Sequence, residues 1–165
     1  MNYIESIKNY VPYNEQEIKD KEMFLHYIKN FDDVLTRNNE IAHFTSSGFV
    51  LNKDKTKVLM VYHNIYNSWA WVWWHADWDD DLLWVAIREA KEETWIENIT
   101  PINSEIFAID TLPVFWHMKR WKYVPAHVHI SVTYLLEADE NELLKIKADE
   151  NSWVKWFPIE EMSAN

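Results

Sequence analysis

Apolar residues recur at helical spacing over residues 15–35, where Phe24, Ile28, Phe31 and Leu35 line one side and Asn14 stands as a candidate cap. Two runs rich in Val, Phe, Leu and Tyr, 41–51 and 57–63, flank the polar stretch Asn52-Lys53-Asp54-Lys55-Thr56 and predict strand, turn, strand. Residues 80–95 give the clearest helix. On its wheel Glu89, Glu92 and Glu93 fall together with Val85 and Ile96. Leu83, Ile87, Ala90 and Thr94 line the opposite side, which is expected to pack on a sheet. Strand patterns return at 105–110 and 126–136, with Lys119 to Lys122 as a hairpin tip before the second. A short strand follows at 154–157, and Pro158 opens a short helix through Met162. Strands interleaved with two or three helices predict an α/β or α+β layered domain.

The chain has 165 residues, no low-complexity tract and no internal repeat, so one domain over 1–165 is expected, with 1–38 as an N-terminal helical extension. No stretch approaches the roughly 20 consecutive apolar residues of a membrane span, and the N-terminus lacks the basic and apolar regions of a secretory leader. A cytoplasmic protein is the expectation. Without cysteine there is no thiolate nucleophile, disulfide or cysteine metal site. The net charge of −11 opposes nucleic-acid duplexes, since only Lys119, Arg120 and Lys122 cluster. Small phosphorylated substrates remain compatible, because divalent cations bridge two sets of negative charge.

Three carboxylates on one helix face repel one another. Hard cations such as Mg²⁺ or Mn²⁺ relieve that repulsion, because they take oxygen ligands and tolerate several carboxylates. The alternative is a solvated acidic face with Arg88 and Lys91 as ion-pair partners. His127 and His129, two apart, share one face of a strand, where paired imidazoles pack, contact substrate or chelate a transition metal.

One count is abnormal. Glycine occurs once, as Gly48, and tryptophan 11 times; an average chain of this length would carry about 7% glycine. Trp73-Trp74, Trp78, Trp121 and Trp153 stand where chain geometry favours glycine. The chain therefore reads as a natural sequence with glycines exchanged for tryptophan, the alternative being a natural Trp-rich protein; the sequence does not decide which tryptophans are original, and Trp156 with one of Trp69 or Trp71 are the candidates.

Read outward from Arg88, residues 74–96 resemble the Nudix box. That box runs Gly, five residues, Glu, seven residues, then Arg-Glu-apolar-any-Glu-Glu-any-Gly-apolar. Arg88, Glu89, Ala90, Glu92, Glu93 and Ile96 match it, Asp80 stands at the first Glu, and Trp74 and Trp95 stand at the two glycines. Trp73-Trp74-His75-Ala76-Asp77-Trp78-Asp79-Asp80 looks like the family's Gly-Gly-x-x-x-Gly-x-Glu loop with tryptophan at each glycine. The closing Trp156-Phe157-Pro158 is also similar, so the resemblance covers most of 40–162.

The resemblance implies an α/β/α sandwich with a mixed sheet between helices. It implies hydrolysis of a diphosphate linked to another moiety, a nucleotide derivative above all, by water attack on phosphorus with Mg²⁺ or Mn²⁺. Glu89, Glu92 and Glu93 would be metal ligands, one of them or another carboxylate the general base, and Arg88 would orient a glutamate by a two-pronged ion pair. Asp80 would support a metal through water or contact substrate, unless it only serves the helix N-terminus. His75 would touch phosphate, and Glu150 would be a late metal ligand; a solvated loop histidine and an exposed loop glutamate are the plainer readings. Other classes stay open: a Nudix-fold binding or sensor domain without turnover, a module stacking exposed indoles on sugars or bases, and a homodimer in any of these.

Overall fold

The computed structural model describes residues 2–64, 66–119 and 121–162. In chain order the elements are α1 (Tyr3–Asn9), α2 (Glu15–Asn30), β1 (Ala42–Asn52), β2 (Lys57–His63), β3 (Ser68–Ala70), β4 (Val72–His75) and α3 (Leu82–Thr94). Then come β5 (Thr100–Pro101), β6 (Ala108–Val114), β7 (His117–Lys119), β8 (Lys122–Val124), β9 (His127–Ala138), β10 (Asn151–Pro158) and a 3₁₀ turn (Ile159–Met162). This is the mixed α/β fold that the pattern predicts. The chain forms two compact units. The first contains Met1–Ser46, His75–Leu82 and Glu105–Thr133, and the second Ser47–Trp74, Leu83–Ser104 and Tyr134–Asn165. No helix among the described residues is long and apolar enough to cross a membrane.

In the first unit, Asn14 caps α2 by accepting the Glu17 N–H at 2.9 Å, and Glu17 reaches back to the Tyr13 N–H at 2.6 Å. The helix stops at Asn30, five residues short of the expected end. The Asn30 side chain donates to the His26 carbonyl at 2.6 Å, competing with the helical ladder, and Phe31 is already extended at φ −135°. Phe24 meets Phe44 edge-on at 5.7 Å, and Tyr3 meets Phe44 from another side at 5.4 Å. This aromatic cluster, with buried Ile7, anchors both N-terminal helices. β6 begins at Ala108, later than expected, and pairs antiparallel with β9 from Ala108↔Thr133 to Val114↔His127. The β7–β8 hairpin is present, with Lys119 paired to Lys122; Arg120 lies outside the described residues.

The second unit contributes β2, β3, β5 and β10 with Ser47–Asn52 of β1 and Tyr134–Ala138 of β9, in the order β10-β2-β1-β9-β5 with β3 added to β2. Its core gathers Leu51, Val58 and Met60 with Phe49, Leu135 and Phe157 around them. Gly48 is a close-approach position: a Cβ there would lie 2.8 Å from the Leu136 side chain.

Candidate functional site

The buried side of α3 corrects the sequence expectation. Leu82, Val85, Ala86, Glu89, Ala90, Glu93 and Thr94 are buried, whereas Leu83 and Ile87 are only half-buried. Glu89 and Glu93 thus lie on the packed stripe, 3% and 2% exposed, instead of on a solvated acidic face. The i, i+3, i+4 spacing of small Ala86 and Ala90 brings that stripe close to its neighbours, so two carboxylates are carried inward with it. Glu92 is on the rim, its side chain 51% exposed.

Burying acids without compensation is costly, and the sequence supplies two cations. Arg88 places Nε and Nη2 each 3.1 Å from Glu89 Oε1. The contact has two prongs, but both fall on one oxygen. Glu89 Oε2 is buried with no hydrogen-bond partner among the described residues. Lys147 is the second cation, with Nζ 3.0 Å from Glu150 Oε2 and 3.5 Å from Glu92 Oε2. Burial works against its charge, yet Glu150, Glu89 and Glu92 together push its pKa up. Asn151 fixes the segment carrying Lys147 and Glu150: its Nδ2 donates to the Glu93 carbonyl at 3.1 Å, and its Oδ1 accepts the Lys147 N–H at 3.2 Å. Glu150 is therefore tied into the box carboxylates and is not a free loop residue.

Electrostatics record the crowding. Burial, then Glu150 and Glu89, push the Glu93 carboxyl up to about 8. Burial and Glu92 raise Glu89, against the pull of Arg88 and Lys147. An oxygen-only donor set with an unsatisfied buried carboxylate oxygen, held around an ammonium group, fits a hard divalent cation in place of that ammonium. Sequence reading missed Lys147, whose only signal was a lysine inside an acidic stretch.

The box tryptophans divide into two kinds. Trp78 and Trp95 have φ of 78° and 65°, the left-handed region where a Cβ is unfavourable. Trp95 follows α3 directly, and its N–H bonds to the Lys91 carbonyl at 2.8 Å, the place where helices commonly end on glycine. Trp78 is the second central residue of a turn closed by Asp79 N–H to the Ala76 carbonyl at 3.0 Å. With Asp77 at φ 48°, both central residues are left-handed, the type I′ signature that Asp-Gly fits best. Arg37 holds this turn through two bonds to the Asp77 carboxylate, 2.8 and 2.6 Å. Trp121, second in the two-residue β7–β8 loop, is also left-handed at φ 65°. Trp73 and Trp74 are not: they lie on β4, where extended backbone suits any residue. The effect of Trp74 is spatial, since the Lys147 ammonium sits 5.0 Å from its ring centroid.

The remaining predicted residues lie in the first unit. Asp80 is exposed on the segment before α3, and its charge reaches Tyr3. His75 is not a solvated loop residue. It ends β4, half-buried, with ring centroids 5.1 Å from His43 and 5.0 Å from His129. His127 joins them, 5.0 Å from His43 and 5.1 Å from His129. His43 and His129 are buried, and burial lowers the pKa of both; His129, also facing His43 and His127, is pushed down to about 3.

Solved structures share this fold. An Ap4A hydrolase from C. elegans, in a binary complex, matches with a TM-score of 0.53 at 19% identity, covering 72% of this chain and 82% of that one. The E. coli dihydroneopterin triphosphate pyrophosphohydrolase matches with a TM-score of 0.53 at 16% identity, over 72% and 82%. A NUDIX family hydrolase from Clostridium perfringens gives 0.50 at 23% identity, over 72% and 83%. No curated protein matches the sequence. The family pattern of the NUDIX domain matches residues 42–165, a span that holds Arg88, Lys147, all four carboxylates and the turns just described; the chain belongs to the NUDIX domain family.

Proposed function

We propose that this protein is a divalent-metal-dependent hydrolase of a phosphoanhydride, its substrate a diphosphate linked to a nucleoside or similar moiety. One observation carries the reading: Glu89, Glu92, Glu93 and Glu150 are electrostatically coupled around Lys147, with a buried carboxylate oxygen of Glu89 unsatisfied. These four residues would hold Mg²⁺ or Mn²⁺. Such an ion, when bound, neutralises phosphate oxygens and makes a coordinated water more acidic. Arg88 orients Glu89 and opposes the rise of its pKa, and one carboxylate of the group accepts the proton of the attacking water. Lys147 holds the carboxylates together before the cation enters and is then available to a phosphate oxygen.

We infer further that Trp78, Trp95 and Trp121 stand where the parent sequence has glycine, since all three occupy left-handed positions in turns or at a helix end. Trp74 would then be a fourth such exchange, one that fills space beside Lys147. On this reading the chain as written turns over slowly, and a domain that binds nucleotide without hydrolysing it is the second reading that the Trp74 indole favours.

The test is Mg²⁺-dependent phosphate release from a panel of nucleoside diphosphate derivatives, using this chain and a variant carrying Trp74→Gly, Trp78→Gly and Trp95→Gly. Release by the variant, greater than by the parent chain, is expected. A folded variant that binds Mn²⁺ and hydrolyses nothing would favour the binding domain.

A further inference from the structure

Four of the seven histidines converge in the first unit, from three separate segments: His43 at the start of β1, His75 at the end of β4, and His127 with His129 on β9. Ligand atoms of His43, His75 and His129 all lie within 4.8 Å of one another. The Nε2 atoms of His127 and His129 are 3.2 Å apart. Tetrahedral coordination at the usual zinc–nitrogen length of 2.0–2.1 Å would put ligand nitrogens ~3.3 Å apart. The His127–His129 pair, joined by a hydrogen bond, is thus already at that spacing, and the ligand atoms of His43, His75 and His129 need to close by at most ~1.5 Å.

The tautomers point the same way. His43 Nδ1 lies 2.9 Å from the Asn39 carbonyl, and His127 Nδ1 lies 2.8 Å from the Pro125 carbonyl. A carbonyl oxygen only accepts, so each Nδ1 carries the hydrogen and each Nε2 presents a lone pair. Backbone carbonyls that take the outer N–H of an imidazole are the usual second layer around a histidine-bound metal, fixing both tautomer and ring plane. His43 Nε2 is buried and has no hydrogen-bond partner among the described residues. A buried acceptor without a donor is costly, and a bound cation would satisfy it.

We infer that His43, His75 and His129, with His127 as the fourth donor, form a binding site for a transition-metal ion of the Zn²⁺ class, distinct in chemistry from the carboxylate group of the second unit. Neutral nitrogen donors select borderline metals over Mg²⁺, which demands oxygen. Four protein ligands close the coordination sphere, so the ion serves structure and not reaction. It ties β1, β4 and β9 at one point and fixes the entry to the Ala76–Asp79 turn, which follows His75 directly.

Co²⁺ is the probe. Titrated into the chelator-stripped full chain, it should give one equivalent of a visible band with tetrahedral intensity, displaced by Zn²⁺ and insensitive to excess Mg²⁺. The band should persist in a Glu92→Gln, Glu93→Gln variant and disappear in a His43→Gln, His129→Gln variant. X-ray absorption of the Zn²⁺-loaded unaltered chain gives a readout that needs no mutant to fold: three or four nitrogens at about 2.0–2.1 Å are expected. The site is refuted by absence of a band in the unaltered chain, by a band that survives the histidine double variant, or by a shell of oxygen only.

Discussion

The carboxylates around Lys147 and the imidazoles around His129 both gather ionisable side chains in buried positions, and burial drives both groups toward their neutral forms, with different neighbours to help. The acids remain hydrophilic and interdependent: Glu93 is driven upward by burial, Glu150 and Glu89, and cations must be recruited from Arg88 and Lys147. The imidazoles become neutral without recruiting counter-ions. Burial lowers His43 and His129, and backbone carbonyls, not counter-ions, orient His43 and His127. A group that stays charged when buried needs a partner of opposite sign, whereas one that turns neutral needs only a hydrogen bond. The difference also sorts cations, oxygen donors taking the hard ones and nitrogen donors the borderline ones.

The largest expected effect tests the acid side. Glu92→Gln with Glu93→Gln should abolish Mn²⁺ binding there and lower Mg²⁺-dependent turnover by roughly 10²–10⁴-fold; unchanged turnover would remove the carboxylates from the chemistry. Next come the three left-handed tryptophans. Trp78→Gly, Trp95→Gly and Trp121→Gly should each stabilise the fold by about 1–3 kcal/mol, read from urea midpoints, because the strain is local to one residue. If none of the three raises the midpoint, tryptophan belongs at those turns.

The pH response of the metal-free protein should separate the clusters by sign. Glu93, raised from 4.5 to about 8, contributes stability that is complete below pH 4.5 and is lost as pH rises through 8. His129, lowered from 6.5 to about 3, contributes stability that is complete above pH 6.5 and is lost as pH falls toward 3. Glu93→Gln should therefore raise the melting temperature at pH 8 relative to pH 5, by an amount equivalent to about 1–3 kcal/mol. His129→Gln should flatten the acid limb while leaving the alkaline one. Both variants flattening the same limb would break the comparison. The smallest effect is that of Arg88→Lys, which keeps the charge but loses one of two contacts to Glu89. A fall of about tenfold in turnover, with Mn²⁺ affinity nearly kept, is expected from one charge-assisted hydrogen bond.

Strands β1 and β2 and helix α3 were legible to within two residues, because long apolar patterns bounded by Asn, Asp and Lys leave little freedom. Helix α2 read too long, since Phe31 and Leu35 keep helical spacing after the Asn30 side chain has taken over a helical carbonyl. β3 and β5 are too short to show a period. At the site, the wheel put Glu89, Glu92 and Glu93 together on a solvated side, whereas Glu89 and Glu93 are buried and only Glu92 is exposed, because the wheel weighs charge and not the space that Ala86 and Ala90 open. His43 and His75 carried no signal: they are distant in sequence, and only the fold makes neighbours of them. Trp78 and Trp95 could be suspected from composition, but their φ values had to be seen. The same structure cleared Trp73 and Trp74 of backbone strain.

On the glycine-for-tryptophan reading proposed above, those left-handed tryptophans would have a consequence in the gene. Of the eleven indoles, seven are exposed and none is fully buried, so they form no shared core that selection could have built. Tryptophan and glycine are unlike in size and chemistry, yet the codon UGA is read as tryptophan under one genetic code and as glycine under another. A message decoded by the second rule would supply a residue without a Cβ at the Asp77–Trp78 turn, the end of α3 and the β7–β8 loop together. The protein as its own host makes it would then be lighter by one indole side chain at each such codon, a difference that intact mass measures directly.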